Sequence, residues 1–173
     1  MQAEGEIVQL PGQRVTAPKD FQTFFEDEHA RLFKTLYFVT GDRSEAADLM
    51  QEAFLKLWER WDRIDRIEDP TAYLFKVALN ANRMRARAAR RAAKRQLPLG
   101  IVHDPYDDVN VREDVLTMLR SIAPRQRAAL VLLDLYGYGS EDAARIMGIR
   151  PSTVRALATQ GRAVLRNAGG PDA

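Results

Sequence analysis

Apolar side chains recur along the chain at steps of three and four residues, the spacing of helices that bury one face. The first run predicts a helix from about Asp20 to Thr40, which a Gly-Asp-Arg sequence then interrupts. Ser44 is a suitable N-cap for a second helix, and Pro70 stands where the first residue of a third helix belongs. The second helix is predicted to bury Ala47, Met50, Phe54, Leu57 and Trp58 and to expose Glu45, Asp48, Glu52, Lys56 and Glu59.

The second half of the chain repeats this periodicity in shorter segments. Helices are predicted over Val111–Ile122, from Pro124 to about Tyr136, over Ser140–Met147 and from Pro151 onward. No segment shows the strict alternation of a strand. The sequence therefore predicts an all-α fold of two small helical domains joined by a flexible linker. Its predicted parts are a tail at 1–18, a domain at 19–93, the linker at 94–112, a domain at 113–168 and a tail at 169–173.

Composition excludes several kinds of site. The 173 residues include no cysteine and two histidines, which rules out disulfides, Cys-ligated zinc, iron–sulfur clusters and thiol catalysis. No His, Ser or metal ligand converges on the paired carboxylates, so we predict no catalytic residue, no metal and no cofactor. The start of the chain lacks a secretion signal, and no apolar run approaches the ~18 residues of a membrane span. We expect a cytoplasmic protein without a membrane segment.

The formal net charge of +2 conceals a strong segregation of charge along the chain. Residues 41–70 hold nine acids and five bases, whereas residues 83–95 hold seven bases and no acid. The predicted linker is acidic, and residues 120–166 contain eight arginines and three acids. This alternation indicates separate surfaces for separate partners.

A short helix, a glycine-containing turn and a second helix occupy residues 140–166, the order of a DNA-binding helix-turn-helix. Ala144 is small where two helices cross, and Gly148 can end the first helix in a left-handed conformation. Short polar side chains and Arg155 at the start of the second helix suit phosphates and base edges in a major groove. A plain helical hairpin without a DNA-binding role has the same pattern, so both interpretations stay open here.

Two further charged features also have two interpretations each. The polar stripe with Asp48, Gln51 and Glu52 is either a solvated helix face or a docking face for a basic partner. The run at 83–95 is either a solvated helix end or a phosphate-binding surface, and its single sign favours nucleic acid. Aromatic residues just before this run belong to the core or, where they face outward, can stack on unpaired bases. They are Trp58, Trp61, Tyr73 and Phe75.

Three segments resemble the extracytoplasmic-function (ECF) group of the bacterial sigma-70 family, the promoter-specificity subunits of RNA polymerase. The group's core-binding helix is similar to SEAADLMQEAFLKLW at Ser44–Trp58. Its promoter-melting segment is similar to DPTAYLFKVALN at Asp69–Asn80, and the start of its second domain to IAPRQRAALVL at Ile122–Leu132. The resemblance covers about residues 20–168, with the motifs in the family's order.

The resemblance implies a role for each matching position. A surface that docks on the largest polymerase subunit is implied at Asp48, Leu49, Gln51, Glu52 and Phe54. Contacts to the promoter −10 element are implied at Trp61, Arg63, Tyr73, Lys76, Asn80, Arg83, Arg85 and Arg87, with the 61–69 loop as the pocket for a flipped base. Contacts to the −35 element are implied at Ser152, Thr153, Arg155 and Arg162. The implied partners are core RNA polymerase (its largest and second-largest subunits), promoter DNA and an anti-sigma factor.

Several positions depart from the family pattern. Leu79 stands where the family usually has Arg, and Met84 where it often has an acid. On the recognition helix, Leu157, Thr159 and Gln160 replace two bases and a histidine. Gly161 is expected to weaken that helix by ~1 kcal/mol relative to Ala. We therefore expect weaker phosphate contacts at the −35 element.

The leading hypothesis is a sigma factor that binds core polymerase and recognises and melts −10/−35 promoter DNA. The alternative is a divergent sigma-like helix-turn-helix regulator, or a decoy, that recognises the −35 element weakly or differently. A stand-alone repressor or activator has no use for the core-binding match at 48–54. An enzyme acting on nucleic acid is disfavoured because the sequence has no cysteine and no plausible metal cluster.

Overall fold

The structure, a computed structural model, describes residues 20–92 and 113–168 of the chain. This part of the chain is helical and contains no strand, so the predicted all-α class in two helical units is confirmed. The helices are α1 (Phe21–Thr40), α2 (Arg43–Trp58), α3 (Pro70–Ala92), α4 (Glu113–Arg120), α5 (Pro124–Leu130), α6 (Ser140–Met147) and α7 (Pro151–Ala168). A 3-10 helix (Trp61–Arg66) precedes α3, and a π-helical segment (Val131–Leu135) continues α5. The predicted tails and the linker at 94–112 lie outside the described residues.

Capping side chains set the start of the first two helices. The carboxylate of Asp20 accepts a hydrogen bond from the Thr23 amide at 2.7 Å, so α1 begins where the sequence predicts. The prediction that Ser44 caps α2 is wrong. Asp42 is the N-cap, because its carboxylate accepts from the Glu45 amide at 2.7 Å and starts the helix at Arg43.

Helices α1, α2 and α3 form the first unit around a core of large apolar side chains. Its fully buried members include Leu32, Phe33, Leu36, Leu49, Met50, Leu57, Leu74 and Phe75. The prediction that Trp58 belongs to this core is wrong, since 57% of the residue is exposed. Leu57 fills the core position instead, and the next helical residue points about 100° away from it.

Helices α4 to α7 form the second unit, in which α7 packs against both α5 and α6. Gly148 ends α6 with a φ of 64°, the left-handed conformation that the sequence predicts there. Ala144 and Val154 are buried between α6 and α7. The turn therefore has the geometry of a helix-turn-helix.

The two units also contact each other. Helix α1 packs against α5, and α3 packs against α6. These contacts bring the helix with the basic run next to the first helix of the helix-turn-helix.

Candidate functional site

The outer surface of α2 combines polar and apolar side chains. Asp48 and Gln51 are exposed there, as the sequence predicts. Leu55 and Trp58 share that exposure, at 64% and 57%, although neither was among the residues predicted to dock on the polymerase. Large apolar side chains this exposed on a helix are typical of a protein-binding surface.

Two residues of the predicted docking surface are buried. Leu49 is fully buried, and Phe54 packs its ring 4.7 Å from that of Phe25 and 6.1 Å from that of Phe21. In this structure both side chains belong to the core, where Phe54 packs against α1. The polymerase contacts implied for them stay a prediction.

Glu52 is engaged within the chain itself. One carboxylate oxygen accepts a hydrogen bond from Lys56 Nζ at 2.5 Å, and the other accepts from Arg85 Nη2 at 2.9 Å. The hydrogen bond from Lys56, and then that from Arg85, holds the pKa of Glu52 below its ordinary value of 4.5. The Glu52–Arg85 ion pair joins α2 to α3, which the sequence pattern did not reveal.

Helix α3 carries an outward stripe whose residues recur at steps of three and four, so they share one face. Lys76, Met84 and Arg87 on this stripe are exposed, whereas Tyr73, Asn80 and Arg83 are half-buried. Arg85 lies on another side of the helix, toward α2. The structure thus separates Arg85 from the other predicted −10 contacts. We call the following residues the promoter stripe: Tyr73, Lys76, Asn80, Arg83, Met84 and Arg87.

The segment between α2 and α3 is anchored at two points. Ile64 is buried, and Trp61 is half-buried with its ring 5.1 Å from that of Phe21. Arg63 is exposed to solvent. Arg60, which was not predicted, donates from Nη1 to the Tyr73 hydroxyl at 2.8 Å. This contact ties the predicted base pocket to the promoter stripe.

The predicted −35 residues lie on α7, but they differ in how exposed they are and in the hydrogen bonds that they already make within the chain. Ser152 and Arg155 are exposed and Thr153 is half-buried near the start of the helix. Arg155 Nη1 donates to the Ser140 hydroxyl at 3.0 Å. Arg162 makes two hydrogen bonds to the Asp134 carboxylate, at 2.9 and 2.5 Å, and this carboxylate raises the pKa of Arg162. The charge of Arg162 is therefore already paired.

Residues 20–92 and 113–168 contain no group of three or more His, Cys, Asp or Glu side chains that could hold a metal ion. None of the helices in the same two ranges is long and apolar enough to cross a membrane.

Comparison with protein families identifies the two helical units. The family description "Sigma-70 region 2" matches residues 24–92, and "Sigma-70, region 4" matches residues 112–165. The chain belongs to the sigma-70 family. The two matches lie on the α1–α3 unit and on the unit with the helix-turn-helix, so the DNA-binding interpretation of residues 140–166 is favoured over a plain hairpin.

Individual relatives place this sigma factor in the ECF group. The RNA polymerase sigma-E factor of Streptomyces avermitilis is 28% identical over 85% of this chain and 83% of the relative. The ECF RNA polymerase sigma factor SigJ of Mycobacterium tuberculosis is 32% identical over 80% of this chain and 47% of that relative. The predicted function, a factor that directs promoter-specific transcription, is confirmed at this level.

A solved structure shows the same fold. The sigma factor RpoE of Bartonella quintana, solved in complex with the anti-sigma factor NepR, matches with a TM-score of 0.69 at 22% identity. The match covers 90% of this chain and 100% of that one. The arrangement of two helical units is therefore the arrangement of a sigma factor, whereas the individual contact residues stay predictions.

Proposed function

We propose that this sigma factor binds its partners through three surfaces. Two are faces of the first unit, and the third is the recognition helix of the second unit. The outer face of α2 binds core RNA polymerase, the promoter stripe of α3 binds and melts the −10 element, and the start of α7 contacts the −35 element. The observation that supports this best is that α2 and α3, although packed together, present polar–apolar and basic surfaces respectively. We call the α2 surface the docking face and define it as Asp48, Gln51, Leu55 and Trp58.

The docking face has the composition of a protein-binding hot spot. Trp58 supplies a large apolar area, and exposed Trp residues often dominate binding energy at interfaces. Asp48 adds a negative charge that suits a basic partner. The polymerase surface that it meets is expected to be the largest subunit, and the second unit is expected to reach the second-largest subunit.

The promoter stripe carries side chains that can contact the phosphate backbone of DNA and others that can contact its bases. Lys76, Arg83 and Arg87 can neutralise phosphates, while Asn80 can hydrogen-bond to a base edge. Trapping an unstacked base beside Tyr73 offsets an unpairing cost of a few kcal/mol, so melting needs no ATP or metal. We assign Trp61 and Arg63 to the adjoining base pocket and Arg85 to the support of α2.

On the recognition helix, Ser152, Thr153 and Arg155 are the residues that we assign to the −35 element. Arg162 is assigned to the Asp134 ion pair, which leaves it a smaller share in phosphate binding. The proposed boundaries stay those expected from the sequence, with domains at 19–93 and 113–168 and a linker at 94–112. The protein is proposed to work in the cytoplasm, without catalysis of its own, and to be open to control by an anti-sigma factor.

The test is core binding and transcription in vitro with purified core polymerase and a library of promoters. Asp48→Arg and Trp58→Ala are expected to weaken core binding at least tenfold, because each removes a central contact of the docking face. Glu26→Arg is the control, since it makes the same charge change at an exposed position of α1. Unchanged core affinity in both docking-face variants, or polymerase binding without promoter-specific transcripts, would contradict the proposal.

A further inference from the structure

Met84 of α3 is the most exposed of the large apolar side chains that the structure describes. Its exposed fraction is 68%, above the 64% of Leu55 and the 57% of Trp58. Those two belong to the docking face of α2, whereas Met84 belongs to the promoter stripe. Single apolar side chains are common on protein surfaces, so the argument for a partner depends on what surrounds Met84.

The neighbours of Met84 on α3 are groups that suit DNA. Asn80 lies one turn before Met84 and Arg87 lies three residues after it, so the three share one face of the helix. Lys76 adds a second positive charge two turns before Met84. The one fully exposed apolar member of the promoter stripe therefore lies between an amide that can bind a base and a cation that can bind a phosphate.

The charge of α3 favours a polyanionic partner at this surface. The helix contains no Asp or Glu anywhere between Pro70 and Ala92. Cations on the same face attract the phosphates of a DNA strand and bring its bases close to the helix. Met84 itself is uncharged, so any contact that it adds is made to an apolar part of the DNA.

DNA offers an apolar side chain two kinds of contact, the 5-methyl group of thymine and the face of an unstacked base. A flat ring face is best covered by an aromatic ring, and Tyr73 supplies one on the same stripe. Methionine is unbranched and has three rotatable bonds, so its small end can be adjusted to a single methyl group. The chemistry of Met84 therefore favours the methyl group.

We infer that Met84 is a specificity-determining residue that recognises the 5-methyl group of a thymine in the −10 element. The inference rests on the proposed function, because it takes the promoter stripe as the −10 surface. Four residues separate Met84 from Asn80, a rise of about 6 Å along the helix, and successive bases of one strand are about 3.4 Å apart. The thymine is expected one or two nucleotides from the base that Asn80 contacts.

The test removes the methyl group from the DNA and the side chain from the protein. Holoenzyme made from core polymerase and the full chain first selects a −10 sequence from the promoter library. Its non-template strand is then synthesised with each thymine in turn replaced by deoxyuridine, which lacks only the methyl group. One replacement is expected to lower the affinity of the unaltered holoenzyme about fourfold, the effect of exposing one buried methyl group. With Met84→Ala the same replacement is expected to change nothing.

Two further variants separate a contact with the methyl group from a general effect on the protein. Met84→Leu is expected to keep the response to deoxyuridine, since an apolar side chain of similar volume is retained. Met118→Ala is the matched control, because it removes an exposed methionine of α4, and it is also expected to keep the response. Circular dichroism verifies that each variant is folded.

Salt dependence distinguishes the proposed role from phosphate binding. Met84→Ala is expected to leave the slope of log affinity against log salt unchanged, because the side chain carries no charge. Met84→Asp places a carboxylate close to the phosphates. It is expected to weaken binding more at low salt than at high salt, since salt screens the repulsion. A slope that changes by about one unit in Met84→Ala would overturn the inference.

The deoxyuridine series can overturn the inference in three further ways. These are equal losses in the unaltered and Met84→Ala holoenzymes, no loss at any thymine, and a selected −10 sequence without thymine. An affinity loss in Met84→Ala that does not depend on the methyl group would place Met84 on a base face instead. Normal promoter-specific transcription in these cases leaves the sigma-factor assignment of α3 intact. Loss of core binding and of promoter-specific transcripts in the unaltered protein removes the proposed function, and the inference with it.

Discussion

The carboxylate of Glu52 joins the two helices that carry the candidate binding surfaces. Each of its oxygens accepts one hydrogen bond, from Lys56 on its own helix and from Arg85 on α3. A residue that resemblance placed in a polymerase contact therefore also holds Arg85 in position. The contribution of Glu52 to the stability of the fold depends on the negative charge of its carboxylate.

Glu52→Gln is expected to lower the free energy of unfolding by ~0.2–1 kcal/mol at pH 7, the range of partly exposed ion pairs. The folded-state pKa of Glu52 lies below its ordinary value of 4.5, so the stabilisation is present above that pH and disappears as the pH falls through the lowered pKa. Urea unfolding at a series of pH values measures this. Glu59→Gln, at an exposed acid at the end of α2, serves as the control. A difference that persists undiminished at the acid end would show that the charge of Glu52 is not its cause.

Close packing between helices explains why residue 161 is a glycine, which the sequence pattern does not show. A glycine inside α7 costs helix propensity, and the sequence predicts a weakened helix there. The residue is buried against α5, and a Cβ at this position would lie 2.8 Å from Leu130 Cδ1. Glycine is therefore what allows α5 and α7 to approach each other so closely.

Gly161→Ala is expected to destabilise the protein by ~1–3 kcal/mol, because overpacking outweighs the gain of ~1 kcal/mol in helix propensity. In a Leu130→Ala background the same change is expected to be neutral or stabilising, since the atom it would clash with is gone. Urea unfolding of the four proteins in this double-mutant cycle measures the coupling. Equal penalties in both backgrounds would refute the packing explanation.

At the scale of the element, α3 distributes its arginines over different faces. Arg87 lies on the exposed promoter stripe, whereas Arg85 points to α2 and pairs with Glu52. The basic run is continuous in sequence but not on the surface. Among the α3 arginines whose burial the structure describes, Arg87 and Arg91 are exposed, whereas Arg83 and Arg85 are half-buried.

Arg87→Ala is expected to reduce the slope of log affinity against log salt for −10 DNA by about one unit, as one phosphate contact is lost. Arg85→Ala is expected to change that slope by less than half as much and to lower stability instead. Filter binding at several salt concentrations and urea unfolding measure the two effects. Equal slope changes in the two variants would show that Arg85 also faces the DNA.

At the scale of the whole molecule, the contact between the two units predicts cooperative unfolding. The guanidinium carbon of Arg31 in α1 lies 4.5 Å from the ring centroid of Tyr136 in the second unit, and α3 packs on α6. Each unit is therefore stabilised by contacts with the other. We expect calorimetry of the free protein to show a single transition with equal calorimetric and van't Hoff enthalpies. Arg31→Ala/Tyr136→Phe is expected to split or broaden this transition, with a shift of about 2–4 °C per kcal/mol lost. Two separate transitions already in the unaltered protein would contradict the expectation.

The sequence by itself determined the all-α class, nearly all the helix boundaries and the segments that match the sigma-70 family. These features are local. A helix start at Pro70, a left-handed end at Gly148 and a buried stripe each depend on residues within a turn or two. Charge segregation is likewise a property of the chain order, and the separate partner surfaces that it indicates stay a prediction.

Only the tertiary structure decided which side chains are available to a partner. It buried Leu49 and Phe54, exposed Trp58, and paired Arg162 with Asp134, 28 residues away. The bond from Tyr136 to Arg31 spans 105 residues. Periodicity describes one helix at a time, so it predicts that a helix has a buried side without saying which neighbour covers it. The contact of α1 with α5 and of α3 with α6 arises from that choice of neighbour.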